Sequence, residues 1–484
     1  MVRPSSRGAT IIAGLSCAIL QLIASWPGWL SGDSVAMLLS ARIDSINDWH
    51  SPLLIVAWQS LGDVRLGPVL PLTAQIASTW TGLTLIALRL AFLGWRWAWA
   101  LLPGFFLLGV VWTSSWVLKD SFTFSVLALA LGIATMGRTS TSEVGQRLVL
   151  LALGVLSAAA LIPRWYMLPV MALIAYSLAR MGSSSQGIRP RLAVLAVFVL
   201  CVTGLYLVER ELVKPEPAYG AGTTMFLDLA RVECTQGTPQ ARAQGVSLFP
   251  REFLRTVPGR DICEDFSPYS HDSLFRFSVD SPDTGSYYVL PTQEDEMQRL
   301  TSAWVDLWRQ HPSQLIGSRI QQAGRFLVAP SSVWWSPSSG IYTDPTASIR
   351  GGIGDGQAVG SPSRGGLVLV GLATVTQMGT AMLLTLPFGL ITILILPAVA
   401  WLHLRSAPRT VQAAYRSGLL VPFTYLVAMA VVVPSDDFRY VATASLWGVA
   451  VSLLALAECR NARPVCGTTQ YTTGRVDLRD ATLG

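Results

Sequence analysis

The residues able to do chemistry in this 484-residue chain stand at the ends of apolar runs: Asp33, Asp48, His50, Lys119, Asp120, Arg164, Asp436, Asp437 and Arg439. Ionisable groups beside membrane-spanning segments are costly to keep, which makes each a candidate for a site. Asp33, in SGDSVAMLL, either caps a helix over Ser34–Arg42 or acts as a base held by that helix; the two roles are compatible. Asp120 follows Lys119 in SSWVLKDSFTF, where it reads as an N-cap of the next span, with Lys119 as a flanking anchor. Lys119 is one of only two lysines among 35 basic residues, and a compact ammonium beside a carboxylate suits a phosphate. Asp48 and His50 precede an apolar run, and His50 reads equally as an interfacial hydrogen-bonding ring or as part of a site. Arg164 and Tyr166 occupy a short gap in LIPRWYMLP, where an arginine reaches headgroups or holds an anion. Arg439, in DDFRY, opens the last apolar run and reads first as part of a span-start cap.

Something must position these groups, and composition says what. The chain is 51% hydrophobic and 13% charged, with a mean hydropathy of +0.47. Soluble domains carry about 25% charged residues, so the polar surface is too small for a soluble body of this length. Apolar runs of about twenty residues predict helical spans at roughly 9–30, 68–92, 97–117, 121–137, 147–162, 165–180, 191–209, 380–404, 417–434 and 440–458. The fold class is therefore an all-α polytopic membrane protein with about ten spans, its first span uncleaved. A seven-span module occupies 1–209, with interfacial helices in a first outer loop, 31–67. A mainly helical extracytoplasmic domain follows at 210–365, containing a mobile loop, 336–365. Further spans occupy 366–458, and 459–484 forms a polar, disordered cytoplasmic tail.

Arginines fall in alternate gaps, including Arg3, Arg7, Arg89, Arg138, Arg180, Arg189 and Arg405. By the positive-inside rule these gaps face the cytoplasm, and the acidic residues and the large domain face out. The net charge of +6 therefore sets topology and gives no reason to expect nucleic acid. Within the domain, EDEMQRLTSAWVDLWRQHPSQLIGSRIQQAGRFL reads as a helical run with Leu300, Trp304, Leu307 and Trp308 at helical spacing. Cys234 and Cys263 are its only cysteines, and pair as a disulfide if the domain meets an oxidising compartment. There is no Walker motif, HExxH or Cys/His cluster to announce nucleotide or metal chemistry.

The order of short motifs resembles the GT-C superfamily of polyprenyl-phosphate-sugar-dependent glycosyltransferases, which includes the protein O-mannosyltransferases and the aminoarabinose transferases. The motifs are GDS at 32–34, D-x-H-x-P at 48–52, Lys119–Asp120, and Arg164-x-Tyr166, followed by a large outer domain after seven spans. LWRQHPSQLIGSRI (307–320) is also similar to a segment of bacterial members. The resemblance implies an enzyme of the bacterial cytoplasmic membrane that moves a sugar from a polyprenyl-phosphate donor to a glycan, lipid or protein acceptor, with inversion. It makes Asp33 and Asp120 the catalytic pair. Lys119, Arg164, His50, Asp48, Tyr166 and Arg439 would bind substrate or phosphate, and the Asp33 and Asp120 carboxylates would lie within about 10 Å. It leaves a divalent metal open. His-Ser-Pro replaces the family's His-Pro at His50. A transporter or flippase, or a non-catalytic envelope scaffold, is the alternative; the chain shows neither the repeated halves nor the midplane charges usual in transporters.

Overall fold

The computed structural model describes residues 4–25, 34, 37, 40–41, 46, 51–60, 69–107, 110–115, 119–139, 142–162, 167–183, 187–217, 222–236, 250, 253, 263, 266, 291, 293–328, 389–432 and 438–462. Among these the architecture is all helical, with no strand. Six helices are long and apolar enough to cross a membrane: Arg7–Ser25, Val69–Phe92, Lys119–Gly137, Arg189–Val213, Arg409–Val431 and Val441–Ala462. Leu168–Gly182 and Leu390–Leu404 are shorter apolar helices. Large apolar side chains point outward along these elements, including Ile12 at 65% exposure and Leu200 at 72%. Such a surface is stable against lipid and not against water. The chain is an α-helical membrane protein.

We number the described helices α1 (Pro4–Ser25), α2 (Pro52–Ser60), α3 (Val69–Phe92), α4 (Leu101–Leu107), α5 (Lys119–Gly137), α6 (Glu143–Ala159), α7 (Leu168–Gly182) and α8 (Arg189–Leu207). After them come α9 (Gly222–Gln236), α10 (Glu294–Gln310), α11 (Pro312–Val328), α12 (Leu396–Leu404), α13 (Arg409–Val432) and α14 (Phe438–Ala462). The continuous span expected at 97–117 is broken instead. A 3₁₀ turn at Ala98–Ala100 leads into α4, and a second 3₁₀ turn covers Val110–Ser115. Pro103, which has no N–H, sits in the first turn of α4, where helices tolerate it. α13 begins eight residues before the expected apolar run. Its first turns are held by Val411 and Tyr415 in the core and by Arg416 lying 5.8 Å over the Trp401 ring.

Packing fixes the direction of each helix. α1 and α3 run antiparallel: Arg7 lies 4.2 Å over the Phe92 ring, while Gln21 bonds Trp80. α3 and α5 run parallel, with Thr79 bonded to Ser125. A Cβ on Gly82 would meet the Ala128 carbonyl at 2.2 Å, and one on Gly132 would meet the Gly82 carbonyl at 2.5 Å. Only glycine lets these two backbones touch, the small-residue packing usual where lipid supplies no hydrophobic drive. α14 closes the bundle against α3 and α5.

Helix ends consequently sort into two groups. One end gathers Arg7, Arg89, Arg138, Arg180 and Glu458, where Arg89 bonds Glu458 and Arg138 lies 5.8 Å over the Tyr415 ring. The opposite end gathers the C-terminus of α1, the N-termini of α3 and α5, and the C-termini of α6 and α8. From α8 the chain continues through a π turn, Val208–Val213, and reverses at Lys214, whose φ of 48° is left-handed. Glu216 N–H then donates to the Ile46 carbonyl at 2.8 Å, joining the exit from the bundle to the first interhelical loop.

α9, α10 and α11 form a second hydrophobic cluster around Phe226, Leu300, Leu307 and Leu315, while Ala323 and Leu327 of α11 pack on the bundle. The single run expected over 294–327 divides at His311, because Pro312 starts a new helix and disfavours a helical residue before it. Trp304 and Trp308 stack edge to face at 6.0 Å on α10, whose N-terminus carries a Gln293–Glu296 capping box. The structure joins Cys234 to Cys263 in a disulfide. The expected mobile loop 336–365 and the tail from 463 on lie outside the described residues.

Candidate functional site

Asp120 is the second residue of α5 and 6% exposed. It lies inside the first turn and is not the N-cap that the sequence suggests, because the helix starts one residue earlier, at Lys119. A carboxylate here is favoured by the helix dipole. Lys119, half-buried, places an ammonium directly beside it in sequence. The turn below is rich in buried hydroxyls. Thr123 donates to the Ala160 carbonyl at 3.1 Å, which ties α5 to the end of α6. Ser125 accepts from Thr79 at 3.0 Å and donates to the Ser121 carbonyl at 2.7 Å.

The segment leading into α5 is fixed just as closely. Thr113, Ser114 and Ser115 are buried in the 3₁₀ turn. The Gln21 amide donates to Ser114 at 3.0 Å and to Ser115 at 2.9 Å, and Ser25 donates to Ser115 at 2.7 Å. The Trp80 indole donates to the Gln21 oxygen at 2.7 Å, so every polar atom of that amide has a defined role. A connected network of this kind in a low-dielectric interior holds its members rigidly. It clamps α1, α3 and the 3₁₀ turn together within a few residues of Lys119 and Asp120.

One further contact falls at this end. Ser51, the residue after His50, donates to the Ile162 carbonyl at 3.3 Å, two residues before Arg164. Ser34, the residue after Asp33, is helical and fully buried, and Met37 is in the bundle core. Asp33, Asp48, His50, Arg164 and Tyr166 themselves lie outside the described residues, and with Asp33 goes the expected Asp33–Asp120 separation. The backbone of Arg439 lies in the first turn of α14, and its side chain is outside the described set. Among the described residues, no three His, Cys, Asp or Glu side chains gather as metal ligands.

Sequence reasoning passed over a charged cluster in the domain. Asp228 of α9 is fully buried and accepts from one Arg319 nitrogen, Nη2, which lies 2.8 Å from each carboxylate oxygen. The Trp304 indole donates to it at 3.0 Å, and Arg231 reaches it at 3.4 Å. The local signal was Asp228 and Arg231 one helical turn apart in MFLDLARVE. The main partner is 91 residues away, which no local pattern reveals.

No protein-family model, no curated protein and no solved structure matches the chain.

Proposed function

We propose that this chain is a membrane glycosyltransferase of the GT-C kind, working at the bundle end that carries Asp120. The observation that carries the reading is Asp120 itself: a buried carboxylate in the first turn of a helix, adjoining a rare lysine, at the end opposite the arginines. Its support is a clamped polar network that nothing in simple lipid-facing packing requires. The Ser51–Ile162 hydrogen bond, one residue after His50 and two before Arg164, also lies at that end. With the arginine end cytoplasmic, the reading has about ten spans and an active site facing outward across the bacterial cytoplasmic membrane.

In the reaction, the acceptor oxygen attacks the anomeric carbon of a polyprenyl-phosphate sugar. The new C–O bond forms as the bond to the phosphate oxygen breaks, inverting that carbon. Asp33 takes the acceptor proton as general base. Asp120 orients the acceptor hydroxyl. Lys119 and Arg164 offset the charge that builds on the departing phosphate, the usual function of fixed cations at a leaving group. On this reading Tyr166, Asp48, His50 and Arg439 serve to bind donor or acceptor.

The test is direct. Purified protein in nanodiscs, given a polyprenyl-phosphate sugar and an acceptor mixture, should release polyprenyl phosphate. Asp33→Asn keeps a side-chain oxygen able to cap but cannot accept a proton near neutral pH. Single-turnover release should fall roughly 10²–10⁴-fold with the melting temperature unchanged. Undiminished release by the folded variant would reject the assignment of Asp33. Substrate counterflow without any release of polyprenyl phosphate would favour a transporter.

A further inference from the structure

Between α9 and the first half of α11 the domain contains a cavity of about 450 Å³. Small-ligand sites commonly span about 300–1,000 Å³. Its polar wall includes Arg231, Gln314, Ser318 and Gln321, its apolar wall includes Phe266, and the Cys234–Cys263 disulfide closes one side. Two helices and a covalent cross-link thus supply most of the site.

The two guanidiniums beside Asp228 hold different positions. Arg319 makes the shorter contact, its Nη2 lying 2.8 Å from each carboxylate oxygen, and is not part of the cavity wall. Arg231 reaches Asp228 at 3.4 Å and the Ser318 hydroxyl at 3.2 Å, and it does line the cavity, with a side chain only 7% exposed. A guanidinium recessed in this way presents planar, directed donors matched to a carboxylate or phosphate. Gln314 and Gln321 add amides that both donate and accept, which suits hydroxyl groups. Phe266 adds a ring that an apolar sugar face can cover.

We propose that this cavity binds an anionic saccharide unit, a sugar bearing a phosphate or carboxylate, with Arg231 holding the anion and Gln314 and Gln321 its hydroxyls. Naming that unit as the acceptor rests on the glycosyl-transfer reading; binding does not.

The experiment is calorimetric titration of the full-length detergent-solubilised protein with glucose 1-phosphate and with glucuronate. Glucose and inorganic phosphate serve as the controls. The two anionic sugars should bind saturably and each control more weakly. Arg231→Gln should weaken binding about 10- to 100-fold, the size of a lost charge-assisted hydrogen bond. Because Arg231 also touches Asp228, the more peripheral Gln314→Ala and Gln321→Ala provide independent tests, each expected to weaken binding severalfold in a folded protein. Failure of both anionic sugars to bind would overturn the proposal, as would equal affinity in all cavity variants. Inorganic phosphate binding as well as glucose 1-phosphate would overturn its saccharide part. A parent that releases polyprenyl phosphate yet binds no probe rejects the cavity alone, and one that binds but never transfers rejects only the transferase reading.

Discussion

Asp228 and Asp120 are both buried carboxylates on helices, the first fully buried in mid-helix and the second in a first turn with 6% of its surface exposed. Asp228 is surrounded by permanent cations and an indole drawn from three different helices, α9, α10 and α11. Asp120 sits in a first turn, beside a lysine and above a tier of serine and threonine hydroxyls. The first arrangement locks three helices at one point, and removing its charge strands two arginines. The second positions a carboxylate through the backbone and neighbouring clamps, and removing its charge leaves those clamps in place. Burial alone therefore does not mark a working carboxylate; what surrounds it does.

Three substitutions test that contrast, ranked by their effect on stability. Asp228→Asn should be the most damaging, at about 3–5 kcal/mol, because it leaves buried guanidiniums facing a neutral group. Thermal melts with hydrogen exchange on α9, α10 and α11 measure it, and a variant as stable as the parent would erase the distinction. Asp120→Asn should cost under about 1 kcal/mol, the scale of a lost dipole interaction. If the proposed sugar transfer is its activity, that rate should nonetheless fall about 10²-fold. Loss of folding in that variant would make Asp120 a second structural joint.

The smallest effect belongs to an exposed carboxylate. Arg299 bonds Asp295 at 2.7 Å along α10 and holds its pKa below the usual carboxylate range. A lowered folded value means that the pair's stabilisation is present above the unfolded pKa, about 3.9, and is lost as pH falls through the folded value. Melting profiles of parent and Asp295→Asn should therefore diverge slightly above pH 4 and converge in stronger acid. Convergence at neutral pH and divergence in acid would reverse the sign and refute the pairing.

The helical, membrane character was legible because twenty apolar residues in a row have few other uses; a described helix overlaps each expected run, and six described helices are long and apolar enough to cross a membrane. Their ends were less legible. The polar first turns of α13 continue past the apolar stretch that announces the span, and the break around α4 depends on hydrogen bonds to Gln21 and Ser25, about ninety residues upstream. The candidate site was legible as residue types at helix ends, as with Lys119 and Asp120. The clamp around it was not, since Gln21 and Trp80 read as ordinary members of apolar helices until their side chains are seen to meet. Trp304 shows the same limit. Its spacing places it on the inner face of α10, but only the fold reveals that its N–H serves Asp228.

The ion pair between Arg89 and Glu458 has a consequence for the order of biosynthesis. Its partners are 369 residues apart, in the second of the six long apolar helices and in the last. At about 5–20 residues per second of translation, roughly 20–75 s pass between their emergence. During that interval Arg89 sits in the last turn of α3 without its carboxylate, and must hold its charge toward the aqueous boundary by extending its side chain. Arrival of α14 supplies Glu458 and, three residues later, Asn461, which bonds the Leu93 carbonyl. The last of the described helices thus neutralises the end of one of the first, so this boundary charge is paired only late in synthesis.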